Sequence, residues 1–327
     1  MNVTIMGCGR WASFHAWYQS NILGNRVLVW GIEDEFFHEI STTRKNEYLS
    51  LPDNVSFTTD LDFALVFSKY IIIAISAQAM PDLTAKIAEK KPKGKTFILA
   101  MKGIIDSTGE RLTEVLKKKI AKSNKIAVWV GPGHPQELAR MHPNIMIVDS
   151  HDPEVTKDIA NRFKSKLIRL YEGDDLIGVE IGAAAKNVIG IMAGILDGAD
   201  RQSLKGTLMA RGAYEVSVLI SAMGGKQLTA YGMSHLGDYE ATLFSKNSHN
   251  RMYGEALYRE RMGNEEKSII FLAEGVATAK AIKLLAEKHK VEMPICKLCY
   301  EILYNNKDID LGFNELFQRE YAKEFRY

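Results

Sequence analysis

Two kinds of chemistry are written locally into this sequence of 327 residues. The first is nucleotide binding. Gly7-Cys8-Gly9-Arg10-Trp11-Ala12 follows an apolar run, Val3-Thr4-Ile5-Met6, and opens an amphipathic stretch. In the pattern G-x-G-x-x-A the first glycine makes a tight turn, and the second lets backbone N–H groups approach a pyrophosphate. The small Ala12 lets helix and strand pack closely, and the helix N-terminus faces the phosphates. This strand–turn–helix context makes Gly7, Gly9, Arg10, Trp11 and Ala12 dinucleotide-binding candidates. About 25 residues on, Trp30-Gly31-Ile32-Glu33-Asp34 places carboxylates at the end of the next strand. A carboxylate such as Glu33 there accepts hydrogen bonds from the adenosine ribose and repels a 2′-phosphate. NAD is therefore expected ahead of NADP. The alternative is that Glu33 and Asp34 only cap the following helix.

The second chemistry is proton transfer. Lys186 lies in the run Gly182-Ala-Ala-Ala-Lys-Asn-Val-Ile-Gly190, which holds no other charge. A cation in such a run needs a partner or a task, or else snorkels from a helix end. An ordinary lysine, with a pKa of about 10.4, is a poor base near neutrality. Burial and a neighbouring cation lower that value and a carboxylate raises it, so the net direction stays open. Taken locally, Lys102 reads as a loop lysine after a strand, and Asp238 as turn chemistry after Gly237. Cys296 and Cys299 form a Cys-x-x-Cys without a second pair. They are either redox-active or, as expected, two small half-buried residues on one helical face. His134, His235 and His249 lack ligand spacing, so no metal is expected.

These residues must be positioned by a mixed framework. Strand-like runs occur at Asn2–Met6, Arg26–Gly31, Tyr70–Ile75, Thr96–Ala100, Ile126–Val130 and Leu167–Tyr171, with helical patterns at Met80–Lys90 and Gly109–Ala121. Alternating strands and helices predict a parallel sheet covered on both faces. Beyond Gly173 the pattern turns helical, at Ile177–Ile195, Thr207–Met223 and Glu265–Lys288. The expected architecture is α/β: a Rossmann-type doubly wound sheet over residues 1–173 and an all-helical domain over residues 174–327, with a cleft between them. Charge is balanced, with 42 Lys+Arg against 40 Asp+Glu, which argues against a nucleic-acid or membrane-surface partner. The apolar runs Tyr70–Ala77 and Val188–Leu196 are too short to span a bilayer. No targeting pattern is visible and the cysteine count is odd, so a cytoplasmic protein is expected.

Longer motifs carry a resemblance. Trp11 in the glycine turn, Arg44-Lys-Asn-Glu-Tyr-Leu49, Ile75-Ser76-Ala77-Gln78-Ala79, Ala100-Met101-Lys102-Gly103-Ile104 and Gly131-Pro132-Gly133-His134 come first. Gly178-Val179-Glu180, Ala185-Lys186-Asn187-Val188-Ile189, Asp197-Gly198, Arg211-Gly212, Leu236-Gly237-Asp238, Thr242, Ser248-His249-Asn250-Arg251 and Glu274-Gly275-Val276 follow. In order and content they resemble the NAD(P)-dependent glycerol-3-phosphate dehydrogenases. The resemblance implies hydride transfer between a nicotinamide and C2 of dihydroxyacetone phosphate or sn-glycerol 3-phosphate. It implies Lys186 as general acid and base, with Lys102 and Asp238 as its companions. Asn187, Thr242, Ser248, His249, Asn250, Arg251 and Gly131 would serve the phosphorylated substrate, and Ser76, Lys102 and Glu274 the cofactor. The family's usual Ser-Arg-Asn-Arg is here Ser248-His249-Asn250-Arg251, and Gly133 replaces a serine. His249 thus stands for an arginine expected to grip phosphate; either affinity becomes weaker or pH-dependent, or Arg251 takes over. These departures keep two alternatives open: a relative acting on another small hydroxy compound, or a weakened dinucleotide-binding redox sensor. The oligomeric state is not given by the sequence; helical C-terminal domains often supply a dimer interface, and a homodimer stays open by that analogy.

Overall fold

A computed structural model describes residues 1–263, 273–320 and 323–324. Eight strands form one sheet: β1 (Asn2–Met6), β2 (Arg26–Trp30), β3 (Val55–Thr58), β4 (Tyr70–Ile73), β5 (Thr96–Leu99), β6 (Lys125–Val130), β7 (Asn144–Ser150) and β8 (Ile168–Glu172). Their order is β3-β2-β1-β4-β5-β6-β7-β8. All neighbours pair in parallel except β6 and β7. Strands such as β4, Tyr-Ile-Ile-Ile, are buried on both faces, so they read as continuous apolar runs.

The helices between strands are α1 (Arg10–Trp17), α2 (Glu35–Thr43), α3 (Leu61–Phe67), α4 (Met80–Glu89), α5 (Leu112–Lys117), α6 (Pro135–Ala139) and α7 (Pro153–Phe163). Phe14 of α1 and Ile159 and Phe163 of α7 pack on one face of the sheet. Leu65 of α3, Leu83 and Ile87 of α4 and Leu116 of α5 pack on the other. After β8 come α8 (Leu176–Gly198), α9 (Lys205–Ala222), α10 (His249–Arg261), α11 (Glu274–His289), α12 (Pro294–Tyr304) and α13 (Ile309–Phe317). Asp175 starts α8: its carboxylate accepts from Gly178 N at 3.0 Å, Lys226 N at 2.8 Å and Thr229 Oγ1 at 2.7 Å. Leu176, Val179 and Ala183 of α8 share a core with Met6, Ile73, Leu99 and Val128 of the sheet. The two halves are therefore packed, not merely tethered.

Several expectations need correction. Strands β3 and β7 and helix α7 lie where none was anticipated. The helix expected over Gly109–Ala121 spans only Leu112–Lys117, because Gly109 sits at φ +71° and Arg111 is extended. Of the helix expected over Glu265–Lys288, the part before Ala273 falls outside the described residues. Helix α8, at 23 residues, is long and apolar enough by length and composition to cross a membrane, so the apolar run is longer than expected. Nearly all of that apolar stretch is buried inside the protein, where it forms the axis of the helical half. Cys296 and Cys299 are fully buried instead of half-buried. Burial pushes both thiols up, so they persist as unreactive thiols.

Candidate active site

The glycine turn is built for close approach. Gly7 sits at φ +121°, and a Cβ there would lie 2.4 Å from the Ala74 carbonyl oxygen. Gly9 faces open space on its Cβ side, as a pyrophosphate-binding turn requires. Ala12 is buried against the sheet. The Trp11 ring stacks on Phe14 at 5.2 Å, and its Nε1 is buried without a partner among the described residues. At the end of β2 the two carboxylates divide. Asp34 caps α2, accepting from Phe37 N at 2.8 Å. Glu33 stays exposed, 4.0 Å from His38 Nε2. Ser76 and Ala77 lie after β4, where they meet Glu274 at the start of α11. Burial raises the Glu274 pKa, opposed by bonds from the Ala77 backbone and the Ser76 hydroxyl. The turn and this loop fit a dinucleotide running across the C-terminal ends of β1 and β4.

Beyond that wall, three charged side chains converge from distant parts of the chain. Asp238 Oδ2 lies 2.6 Å from Lys102 Nζ and 2.7 Å from Lys186 Nζ. Lys102 also donates to the Gly131 carbonyl at 2.6 Å, and its ammonium is 6.0 Å from the Trp11 ring centre. Lys186, only 6% exposed in mid-α8, donates to Thr242 Oγ1 at 2.6 Å. The Thr242 hydroxyl in turn donates to the Asp238 carbonyl at 2.7 Å across a π-helical turn. Burial pulls the Lys186 pKa down to about 7; Asp238 opposes the shift and Lys102 adds to it. Asp238 Oδ1 is buried without a hydrogen-bond partner among the described residues.

Two residues behind the cluster were not picked out for this position by sequence. His235 Nδ1 lies 2.8 Å from the Gly182 carbonyl, and its Nε2 is 2.7 Å from the Tyr239 hydroxyl. These bonds assign the Nδ1–H tautomer, with Tyr239 donating to Nε2. Burial lowers the His235 pKa to about 4, so a neutral ring braces the Asp238 segment against α8. The His–Tyr spacing of four was the only local signal. His134 also faces Lys186 and Asp238; burial lowers its pKa, and its Nε2 has no partner among the described residues.

The remaining candidates surround this centre unevenly. Asn187 is buried beside Lys186. Asn250 Oδ1 accepts from Gly275 N at 2.8 Å, which ties α10 to α11. Ser248 caps α10, accepting from Arg251 N at 3.3 Å. His249 Nδ1 meets an Arg10 guanidinium nitrogen at 3.3 Å. Arg251 does not join the group: its guanidinium is held by Asp197 at 2.6 Å, Glu255 at 2.9 Å and the Ser245 carbonyl at 3.1 Å. Its charge is thus already met by two carboxylates.

Comparisons with known proteins bear on the family and the fold. Residues 2–156 match the family model of the NAD-dependent glycerol-3-phosphate dehydrogenase N-terminus, and residues 175–313 that of its C-terminus. The chain belongs to the NAD-dependent glycerol-3-phosphate dehydrogenase family. A relative named glycerol-3-phosphate dehydrogenase [NAD(P)+] from Clostridium botulinum (strain Eklund 17B / Type B) is 34% identical over 308 residues, 92% of each chain. One of the same name from Chlorobium phaeobacteroides (strain BS1) is 32% identical over 335 residues, covering all of both. The crystal structure of glycerol-3-phosphate dehydrogenase from Coxiella burnetii superposes with a TM-score of 0.88 at 27% identity, covering 97% of this chain and 99% of that one. Within such a glycerol-3-phosphate dehydrogenase fold, the lysine–aspartate–lysine cluster lies where the glycine-turn domain meets the helical domain.

Proposed function

We propose that this chain moves a hydride between a nicotinamide cofactor and C2 of dihydroxyacetone phosphate or sn-glycerol 3-phosphate, with Lys186 moving the accompanying proton. One observation carries the reading: a single carboxylate oxygen of Asp238 holds two ammonium groups, and Lys186 is almost completely buried. The bound nicotinamide supplies or accepts the hydride. In reduction, the C2 oxygen gains electron density as the carbonyl π bond breaks, and the Lys186 ammonium gives it a proton. In oxidation, the neutral Lys186 amine takes the proton from the C2 hydroxyl. An amine with a pKa of about 7 has both forms at hand near neutrality. Lys102 stays beside it as a fixed positive field for the developing alkoxide. Asp238 and Thr242 hold the Lys186 amine in place.

The exposed Glu33 supports NAD over NADP, since a 2′-phosphate would stand against its carboxylate. The test is loss of NADH or NADPH absorbance with dihydroxyacetone phosphate. Turnover with NADH ahead of NADPH is expected. Lys186→Ala is expected to lose at least about 10²-fold in kcat, the scale of a general acid–base group. Unchanged turnover in that variant removes the mechanism.

A further inference from the structure

The reaction proposed above requires a place for a phosphate dianion near Lys186, and most cations around that centre are already neutralised. Lys102 and Lys186 share Asp238. Lys205 and Arg251 share Asp197, and Arg251 also holds Glu255. Arg10 differs. Among the described residues no carboxylate pairs with it, and its contact is to His249 Nδ1 at 3.3 Å. A nitrogen that accepts from a guanidinium carries no proton, so this contact leaves the Arg10 charge uncompensated.

We propose that Arg10 is the cation that grips the substrate phosphate, from the cofactor-binding wall and opposite His249. The inference rests on the substrate assignment above. Two contacts locate the pair beside the reactive centre. Trp11, next to Arg10, has the Lys102 ammonium 6.0 Å from its ring centre. Asn250, next to His249, lies against Gly190: a Cβ on that glycine would be 3.3 Å from the Asn250 Cβ. Gly190 lies four residues, about 6 Å, along α8 from Lys186 and on the same face. Arg10 and His249 are 239 residues apart and come from opposite walls, so their contact already bridges the mouth of the crevice. A guanidinium fork suits two phosphate oxygens.

The test uses the full-length chain with dihydroxyacetone phosphate and, as the phosphate-free control, dihydroxyacetone. Arg10→Gln is expected to raise KM for the phosphate ester by roughly 10- to 100-fold, the scale of one charge-assisted hydrogen bond, with a much smaller change in kcat. Preference for the ester over dihydroxyacetone should fall by the same factor. Binding of NADH, read from quenching of protein fluorescence, should weaken by much less than the rise in KM for the ester and also reports that the variant is folded. Adding His249→Arg to Arg10→Gln should recover most of the lost affinity by returning the charge from the other wall. Three results overturn the proposal: an unchanged KM, no recovery in the double variant, or a loss in NADH affinity that accounts for the whole effect. The last assigns Arg10 to the cofactor pyrophosphate instead. A wild-type enzyme indifferent to the ester's phosphate sinks the substrate assignment and this proposal together. A normal wild type with an indifferent Arg10→Gln sinks the proposal alone.

Discussion

An amine that titrates near neutrality serves opposite roles in the two directions of one reaction. Lys186 must arrive protonated to reduce a ketone, so the reduction rate should fall as pH rises through about 7. It must arrive neutral to oxidise an alcohol, so that rate should rise through the same value. Initial-rate profiles in both directions check this, and limbs of the same sign would sink Lys186 as the proton carrier. The titratable groups facing the amine enter the curve: Asp238 and His235 from its own half, Lys102 and His134 from the sheet half. Lys186 was legible in the sequence because a lone charge inside an Ala/Gly/Ile run is physically conspicuous. Lys102 and Asp238 were not, since each looks locally like loop chemistry. Only folding brings them, 136 residues apart, within hydrogen-bond distance, so the family resemblance was needed to single them out. Arg251 shows the converse: it matches a motif, yet Asp197 and Glu255 take its charge.

At the scale of elements, the contact between α8 and α10 decides where His249 and Asn250 stand. A Cβ at Gly194 would lie 1.9 Å from the Arg251 carbonyl oxygen, and one at Gly254 would lie 2.0 Å from that of Ile191. Backbone meets backbone at both points, so no side chain can rotate away. Gly194→Ala is expected to cost about 1–3 kcal/mol, as overpacking does, and to raise KM for dihydroxyacetone phosphate by displacing α10. Thermal melting and steady-state kinetics measure the two effects. Gly206, with open space around it in α9, is the control: Gly206→Ala should be neutral or slightly stabilising. A Gly194→Ala protein that melts like the control would remove the argument. The small residues of α8 announced close packing in the sequence. They did not name the partner, because a glycine stripe specifies proximity and not identity. β7 escaped notice for a related reason. Its antiparallel return beside β6 breaks the alternation of strand and helix on which the parallel expectation rests.

Across the whole molecule, the two halves are joined by a buried ion pair as well as by apolar packing. Glu180 of α8 accepts from Arg111 at 2.7 Å, Thr113 Oγ1 at 2.7 Å and Thr113 N at 3.0 Å. Both Glu180 and Arg111 are buried. Glu180→Ala would leave a buried guanidinium with only Glu114, and should cost about 3–5 kcal/mol. The wild type should melt in one calorimetric transition. The variant should separate into two if this pair couples the halves, and a single transition at the wild-type temperature would show that it does not. The division into a sheet and a helical half was legible from the change of periodicity near Gly173. The coupling between them was not, since Arg111 and Glu180 are each unremarkable charges until the fold buries them together.

Glu180 and Lys186 ride on the same rod of α8, fewer than two turns apart. The proton carrier is therefore mounted on the very strut that is bolted to the nucleotide-binding half. Rocking of the remaining helices would open the mouth of the crevice without drawing the amine away from that half. Ligands can come and go at the rim while the floor keeps its spacing.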